Sequence, residues 1–301
     1  MAYSINTEPR LHRTPTLLAT IELLKPITWF APMWAFGCGL VSVGVDGLDR
    51  WPYIIGGVLL AGPLVCGTSQ AVNDWYDRDV DAINEPNRVI PSGRMPGRWG
   101  LGVAAAGTLL SLVIGALLGP VVFAATVVGL VLAWAYSAPP FRLKRNGWMG
   151  NAAVGLCYEG LPWFTAAAAV LGGMPSAAII AIAFLYSVGA HGIMTLNDFK
   201  SVGGDRVSGV DSLPVLLGEA RAARVACLVM AVPQLVVIGL LLHWDFAWHA
   251  GAVALLLLAQ FGCMTRLLAD PRRHASWYNA TGTTFYVLGM LAAALALSAA
   301  G

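Results

Sequence analysis

Runs of about 20 apolar residues recur along this chain, parted by short polar stretches, and no other feature narrows its fold so far. A run of that length suits a helix across an apolar layer about 30 Å thick. Nine can be marked: roughly 27–46, 53–72, 99–118, 120–137, 149–170, 176–196, 223–242, 249–268 and 278–298. Backbone in lipid must be satisfied internally, by a helix or a closed barrel. The two-residue alternation of a membrane barrel is absent, so the runs predict helices. Hydrophobic types make up 57% of the residues and charged types 11%, against about 25% charged in ordinary soluble domains. That excludes a soluble domain, a disordered chain and a nucleic-acid binder. The chain reads as an all-α integral membrane protein of nine transmembrane helices, one domain over 1–301.

Residues 1–25 are polar, with Arg10, Arg13 and Lys25, and no small-residue cleavage site follows, so the first span is read as retained. The five cysteines lie inside apolar runs and form no C-x-x-C pair. They read as small buried apolar side chains, with no disulfide or metal framework. A cytoplasmic N-terminus places 17 of the 18 Lys and Arg in or beside the stretches 1–26, 73–98, 138–148, 197–222 and 266–277, with Arg50 alone opposite. The positive-inside rule therefore orients the bundle. The opposite loops are short and carry Asp46, Asp49 and Asp245.

The two longest loops, 73–98 and 197–222, share that face, and both open on Asn-Asp, at Asn73-Asp74 and Asn197-Asp198. Each pair ends an outside-to-inside span, which suggests a weak two-fold internal repeat. If the second helix continues into its loop, a turn of about 100° per residue sets Asn73, Asp77, Asp81 and Asp74 within roughly 100° of one another, while Asp79 points away. Crowded carboxylates repel unless cations bridge them, and Mg²⁺ suits one or two carboxylates completed by water and phosphate oxygens. In the second loop Asp198 and Asp205 are seven apart, one face if helical, with Gly203-Gly204 expected to interrupt the helix. Arg88, Arg94, Lys144, Arg145, Lys200 and Arg206 approach the same surface. Carboxylates with cations beside them describe a metal–diphosphate site. Asp79 and Glu85 read as solvated, and Arg98, Arg221, Arg224, Arg272 and Arg273 as topology determinants.

At these residues the chain resembles the UbiA superfamily of intramembrane prenyltransferases. The first motif of that family, N-D-x-x-D-x-x-x-D, matches Asn73, Asp74, Asp77 and Asp81. The likeness runs from Lys25 to about residue 290 and narrows to its chlorophyll and bacteriochlorophyll synthase branch through KPITWF (25–30), NDWYDRDVDAINEPNRVIPSGR (73–94), YSAPPFRLKRNGW (136–148) and NDFKSVGGDR…SLP (197–214). Phe30 favours the bacteriochlorophyll side. The second motif departs from the pattern: Val202 and Gly203 stand where relatives carry an acid. Asp198 and Asp205 remain as the second carboxylate pair, with Asp211 a weaker substitute.

The resemblance implies a bundle around a central chamber, open towards lipid, with its acidic mouth at the cytoplasmic face. It implies Mg²⁺-dependent transfer of a geranylgeranyl or phytyl group from its diphosphate to the propionate of a (bacterio)chlorophyllide. Asp74, Asp77, Asp81, Asp198 and Asp205 are then the metal ligands, Asn73 joins them as catalytic, and the six cations named above bind diphosphate. An ionised carboxylate acceptor needs no general base, so no catalytic His is nominated. Phe30, Tyr136, Glu159 and His191 are candidate substrate contacts. Glu159 lies near mid-membrane, where a carboxyl is a functional candidate by default, and His191 is a candidate ligand of the pigment's magnesium. His12, His243, His249 and His274 read as peripheral. The branch points to the inner, intracytoplasmic membrane of a photosynthetic bacterium, with pigment-protein assembly partners. The rivals are a family member using an aromatic acid, quinone precursor or protohaem, a transporter, and a pigment-binding scaffold. Transporters hold their sites near the midplane, whereas these acidic clusters sit at one surface.

Overall fold

The computed structural model describes residues 14–44 and 50–299. Arg10, His12, Arg13, Asp46 and Asp49 lie outside the described residues. A surface helix α1 (Leu17–Leu24) is capped by Thr16, whose hydroxyl accepts from the Ala19 amide. A 3₁₀ turn, Pro26–Trp29, leads into α2 (Phe30–Ser42). Then come α3 (Trp51–Asn84), α4 (Trp99–Leu118), α5 (Pro120–Ser137), α6 (Gly147–Leu171) and α7 (Ala177–Lys200). Two short helices, α8 (Val202–Ser208) and α9 (Leu213–Leu217), precede α10 (Glu219–His243), α11 (Ala247–Ala269) and α12 (Pro271–Ser298). The described residues form no strand, only one isolated bridge between Asn146 and Asp211.

Eight of these helices, α3 to α7 and α10 to α12, are long and apolar enough to cross a membrane. The first expected span is divided differently. Lys25 takes a left-handed conformation (φ 46) and ends α1. The Thr28 hydroxyl and Trp29 indole then donate to the carbonyls of Lys25 and Leu24, at 2.8 Å each, in place of helical partners. The 13 residues of α2 rise only about 20 Å. Even so, this stretch runs the length of the bundle. Lys25 pairs with Asp74 at one end, and at the other a Cβ on Gly44 would stand 3.4 Å from Ser298 Oγ.

Helix α7 packs on α6, α10 and α12, while α2 packs on α12 and the second half of α6. On the other side α3 leans on α4 and α5. Between helices in lipid, dispersion has to do most of the work, and small residues allow backbones to meet. A Cβ on Gly39 would come 2.3 Å from the Trp163 carbonyl oxygen, and one on Gly192 would come 2.5 Å from that of Ala226. The deepest core stacks Trp163 on Tyr186, which meets Tyr286 edge-on. Other leucines face outward: Leu117 is 74% exposed and Leu255 69%, as suits a lipid-facing wall.

Two wide π turns interrupt the helices. One, Leu60–Cys66 in α3, contains Pro63; the other, Leu156–Gly160 in α6, is followed by Pro162. Each proline lacks the N–H that would bond four residues back, so the register slips. The glycine pair of the second loop does not act as expected. Helix α7 closes in a 3₁₀ turn at Asp198–Lys200 and the break falls at Ser201, while Gly203 and Gly204 lie inside α8. Asp198 and Asp205 therefore sit on two elements rather than on one helix.

Candidate active site at one end of the bundle

Helix α3 continues as a helix to Asn84, so Asn73, Asp74, Asp77 and Asp81 are carried on one rigid element. Asp74 is 2% exposed and Asp81 7%, whereas the Asp79 side chain is 87% exposed. Each inward carboxylate has a cation. Lys25 Nζ lies 2.6 Å from Asp74, Arg88 spans Asp81 at 2.8 Å and Asp74 at 3.4 Å, and Lys144 meets both oxygens of Asp77 at 2.5 Å. Burial draws the Lys144 ammonium down from the usual lysine range, against the opposing pull of Asp77. Burial also works against the Arg88 charge, but Asp81 and Asp74 outweigh it and hold that group above the ordinary arginine value.

The second cluster is held differently. Asn151 donates to Asp198 at 3.2 Å, and the Ser201 and Ser212 hydroxyls donate to Asp205 at 2.9 and 2.7 Å. These donors are neutral. Among the described residues neither carboxylate has a salt-bridge partner, so no cation neutralises this side of the mouth. Lys200 and Arg206 are exposed beside it. Asp211 is tied by backbone, its N–H donating to the Arg145 carbonyl and its carbonyl accepting from the Gly147 N–H. That tie pins the loop before α6 to the loop after α8.

Between the clusters opens a cavity of about 480 Å³. Asn73 and Asn197 both line it, so the paired Asn-Asp motifs meet at one mouth. Tyr136 lines it too, within the fields of Asp198, Asp77 and Asp205. Phe30, 63% exposed, stands at its side facing the exterior. Deeper, the walls are apolar apart from a small group on the two π turns. There the Tyr158 hydroxyl accepts from Gln70 at 3.0 Å and from the Cys66 thiol at 3.4 Å, and Glu159 follows. Glu159 is 4% exposed and its Oε2 has no partner.

Other candidates stand apart. Arg94 pairs with Glu22 and the Asn87 carbonyl on the outer surface. Arg145 is exposed. His191 is buried against Trp148, ring centroids 5.5 Å apart, outside the cavity lining. Three residues beside the clusters were not singled out from the sequence. Lys25 opens the KPITWF stretch and pairs with Asp74; Asn151 holds Asp198; and Arg142, left-handed at φ 43, has a buried Nε with no partner and lies within the field of Lys144. The only advance signal for Arg142 was its basic neighbourhood at 142–145.

The donor set is all oxygen, which fits a hard divalent cation. Among the described residues no three carboxylate, His or Cys side chains approach closely enough to hold one ion, and Lys25, Arg88 and Lys144 neutralise the first cluster. The unneutralised second cluster is where added positive charge is most favoured. A divalent ion here would have few protein ligands and would need oxygens from its partner.

Comparison with known proteins agrees with this picture. The profile of the UbiA prenyltransferase family matches residues 29–290. A Cereibacter sphaeroides protein named bacteriochlorophyll synthase 33 kDa chain is 56% identical over 297 residues, 99% of this chain and 98% of that one. The chloroplastic chlorophyll synthase of Oryza sativa is 38% identical, over 92% of this chain and 76% of its own. Among solved structures, a UbiA homologue from Archaeoglobus fulgidus bound to GPP and Mg²⁺ superposes with TM-score 0.71 at 20% identity, covering 91% of this chain and 99% of its own.

Proposed function

The chain belongs to the UbiA prenyltransferase family, and from that premise we propose that it transfers a geranylgeranyl or phytyl group from its diphosphate to the propionate carboxylate of bacteriochlorophyllide, the esterification that completes bacteriochlorophyll. One observation carries the chemistry: two carboxylate clusters, one neutralised by cations and one not, each follow an asparagine, Asn73 or Asn197, that lines one mainly apolar cavity in a lipid-facing bundle. A charged headgroup is handled at the mouth, and the two greasy bodies, prenyl tail and macrocycle, lie below it. The near full-length likeness to a protein named for bacteriochlorophyll supports the acceptor.

In the transfer, the allylic C–O bond breaks and its electron pair leaves with diphosphate. A propionate oxygen forms the new C–O bond, and no proton need be removed. Lys25, Arg88, Lys144 and Arg142 are the nearest positive charge for the departing diphosphate and offer charge-assisted hydrogen bonds. Asp198 and Asp205 would hold Mg²⁺ as they stand, joined by Asp74, Asp77 and Asp81 where the diphosphate takes up their cations, and the ion would supply further neutralisation of the leaving group. Asn73 and Asn197 present amides at the mouth, and Tyr136 sets an aromatic ring beside the developing allylic cation. The apolar walls below exclude water from it. Lys200, Arg206, Arg94 and Arg145 serve approach rather than contact.

The chain crosses the membrane nine times, α2 with its 3₁₀ turn being the first crossing. Its N-terminus and both acidic clusters face the cytoplasm, in the intracytoplasmic membrane of a photosynthetic bacterium. The end-to-end course from Lys25 to Gly44 supports the count, and the basic loops support the orientation.

The test incubates the purified protein with Mg²⁺, geranylgeranyl diphosphate and bacteriochlorophyllide a or chlorophyllide a, and separates the pigments by chromatography. Esterified bacteriochlorophyllide is expected, and its loss in Asp77→Asn. Product from chlorophyllide alone overturns the acceptor; product from neither overturns the reading.

A further inference from the structure

Among the described residues Glu159 is the one carboxyl that lines the cavity, and the chemistry above has no use for it. It lies twelve residues into α6, which at 1.5 Å per residue is about 18 Å from the acidic end. It is too deep to serve a diphosphate at the mouth. It is 4% exposed, lines the cavity, and leaves Oε2 without a partner. A buried polar group without a partner needs an explanation, and an ionised one here would bear the full cost of leaving water unpaired.

Its surroundings supply no partner. Tyr286 and Cys38 are near it, but neither is hydrogen-bonded to it: the Tyr286 hydroxyl donates to the Tyr186 carbonyl at 2.5 Å, and a thiol is a weak acceptor. No Lys, Arg or His pairs with it among the described residues. The π turn at Leu156–Gly160 is what delivers it: that slip in register sets Tyr158 and Glu159, adjacent in sequence, both on the cavity wall. A prenyl chain offers such a carboxyl nothing, having no hydrogen-bonding atom. A tetrapyrrole edge bearing a carbonyl offers what a neutral carboxylic acid requires.

We propose that Glu159 selects the acceptor, its neutral carboxyl donating a hydrogen bond to a carbonyl oxygen at the edge of the macrocycle. This rests on the tetrapyrrole acceptor proposed above and names the feature of it that is read. The group is a specificity determinant and takes no part in bond making. A site built to hydrogen-bond one substrate atom discriminates strongly against a substrate that cannot reciprocate, because the buried group is left unpaired.

The test uses Glu159→Gln and Glu159→Leu in the purified full chain with Mg²⁺ and geranylgeranyl diphosphate. Gln keeps shape and a neutral donor; Leu keeps bulk and removes it. For bacteriochlorophyllide a, Leu is expected to raise acceptor KM about 10- to 100-fold, with donor KM unchanged, and Gln to stay within a few-fold of the parent. Resonance Raman of the bound acceptor should show a lowered carbonyl stretch with the parent and Gln, and a free carbonyl with Leu. The unchanged donor KM also certifies that the Leu variant is folded. Should Leu leave acceptor KM unchanged, or should both variants shift donor KM, the inference falls. If Gln fails as badly as Leu, the neutral-donor role is wrong. Absence of any tetrapyrrole esterification by the parent protein removes the reading beneath it and the inference together, and is seen before any variant is made.

Discussion

Two kinds of carboxylate meet at the mouth, and the difference lies in their partners. Asp77 faces an ammonium, while Asp205 is held by two serine hydroxyls. On the proposed chemistry, Asp77→Asn should lower kcat roughly 10²- to 10³-fold, the usual cost of losing one group that stabilises developing charge. Its thermal unfolding should move little, since the asparagine keeps an oxygen that accepts from Lys144. Lys144→Met should act on the donor instead, raising its KM about tenfold while acceptor KM holds, a split that steady-state kinetics resolves. Lys25→Met removes a charge-assisted bond from a nearly buried carboxylate. It should cost about 1.5–3 kcal/mol of stability, read as a lower unfolding temperature in detergent.

At the scale of the element, helix ends and helix defects place the chemistry. Helix α3 outlasts the apolar run by more than two turns, which keeps Asn73 to Asp81 in one register. The π turns set the polar groups of the cavity floor. Close backbone contact between α7 and α10 holds the second cluster in place, with Gly192 against Ala226. A leucine there has no space, and the opposing atom is backbone rather than a flexible tip. Gly192→Leu should therefore part the two helices, at a cost of about 1–3 kcal/mol. Both a lower unfolding temperature and weaker transfer are expected, and an unchanged melting curve would contradict the packing.

For the whole molecule, both acidic clusters and the basic loops lie at one end of the bundle, and the turn at Asp245 lies at the other. In sealed inside-out vesicles, Gly203→Cys should react with an impermeant thiol reagent and Asp245→Cys should not, with the opposite result in right-side-out vesicles. Reversed labelling would invert the proposed topology. Chelation offers a second test at this scale. Removing divalent ions with EDTA should abolish transfer and Mg²⁺ should restore it, without a loss of helical circular dichroism, because core packing rather than metal holds the bundle together.

Much was open to reading before any fold was known. The apolar runs are long enough that lipid leaves a helix as the only economical answer, and helical periodicity put Asp74, Asp77 and Asp81 on one face and Asp79 on another. Those are local properties, fixed by 1.5 Å and about 100° per residue. Whatever depends on partners distant in sequence was out of reach. Lys25 finds Asp74 across 49 residues, Lys144 finds Asp77 across 67, and Asn151 finds Asp198 across 47. The break at Ser201, where the glycines suggested a later one, and the displacement of Arg94 onto Glu22 were likewise decided by packing. Sequence alone determined that helices would span lipid and that carboxylates would gather at one end. Only tertiary structure decided which of them would be neutralised, and that Glu159 would face the cavity without a partner, because a charge finds its counterion through space and not along the chain.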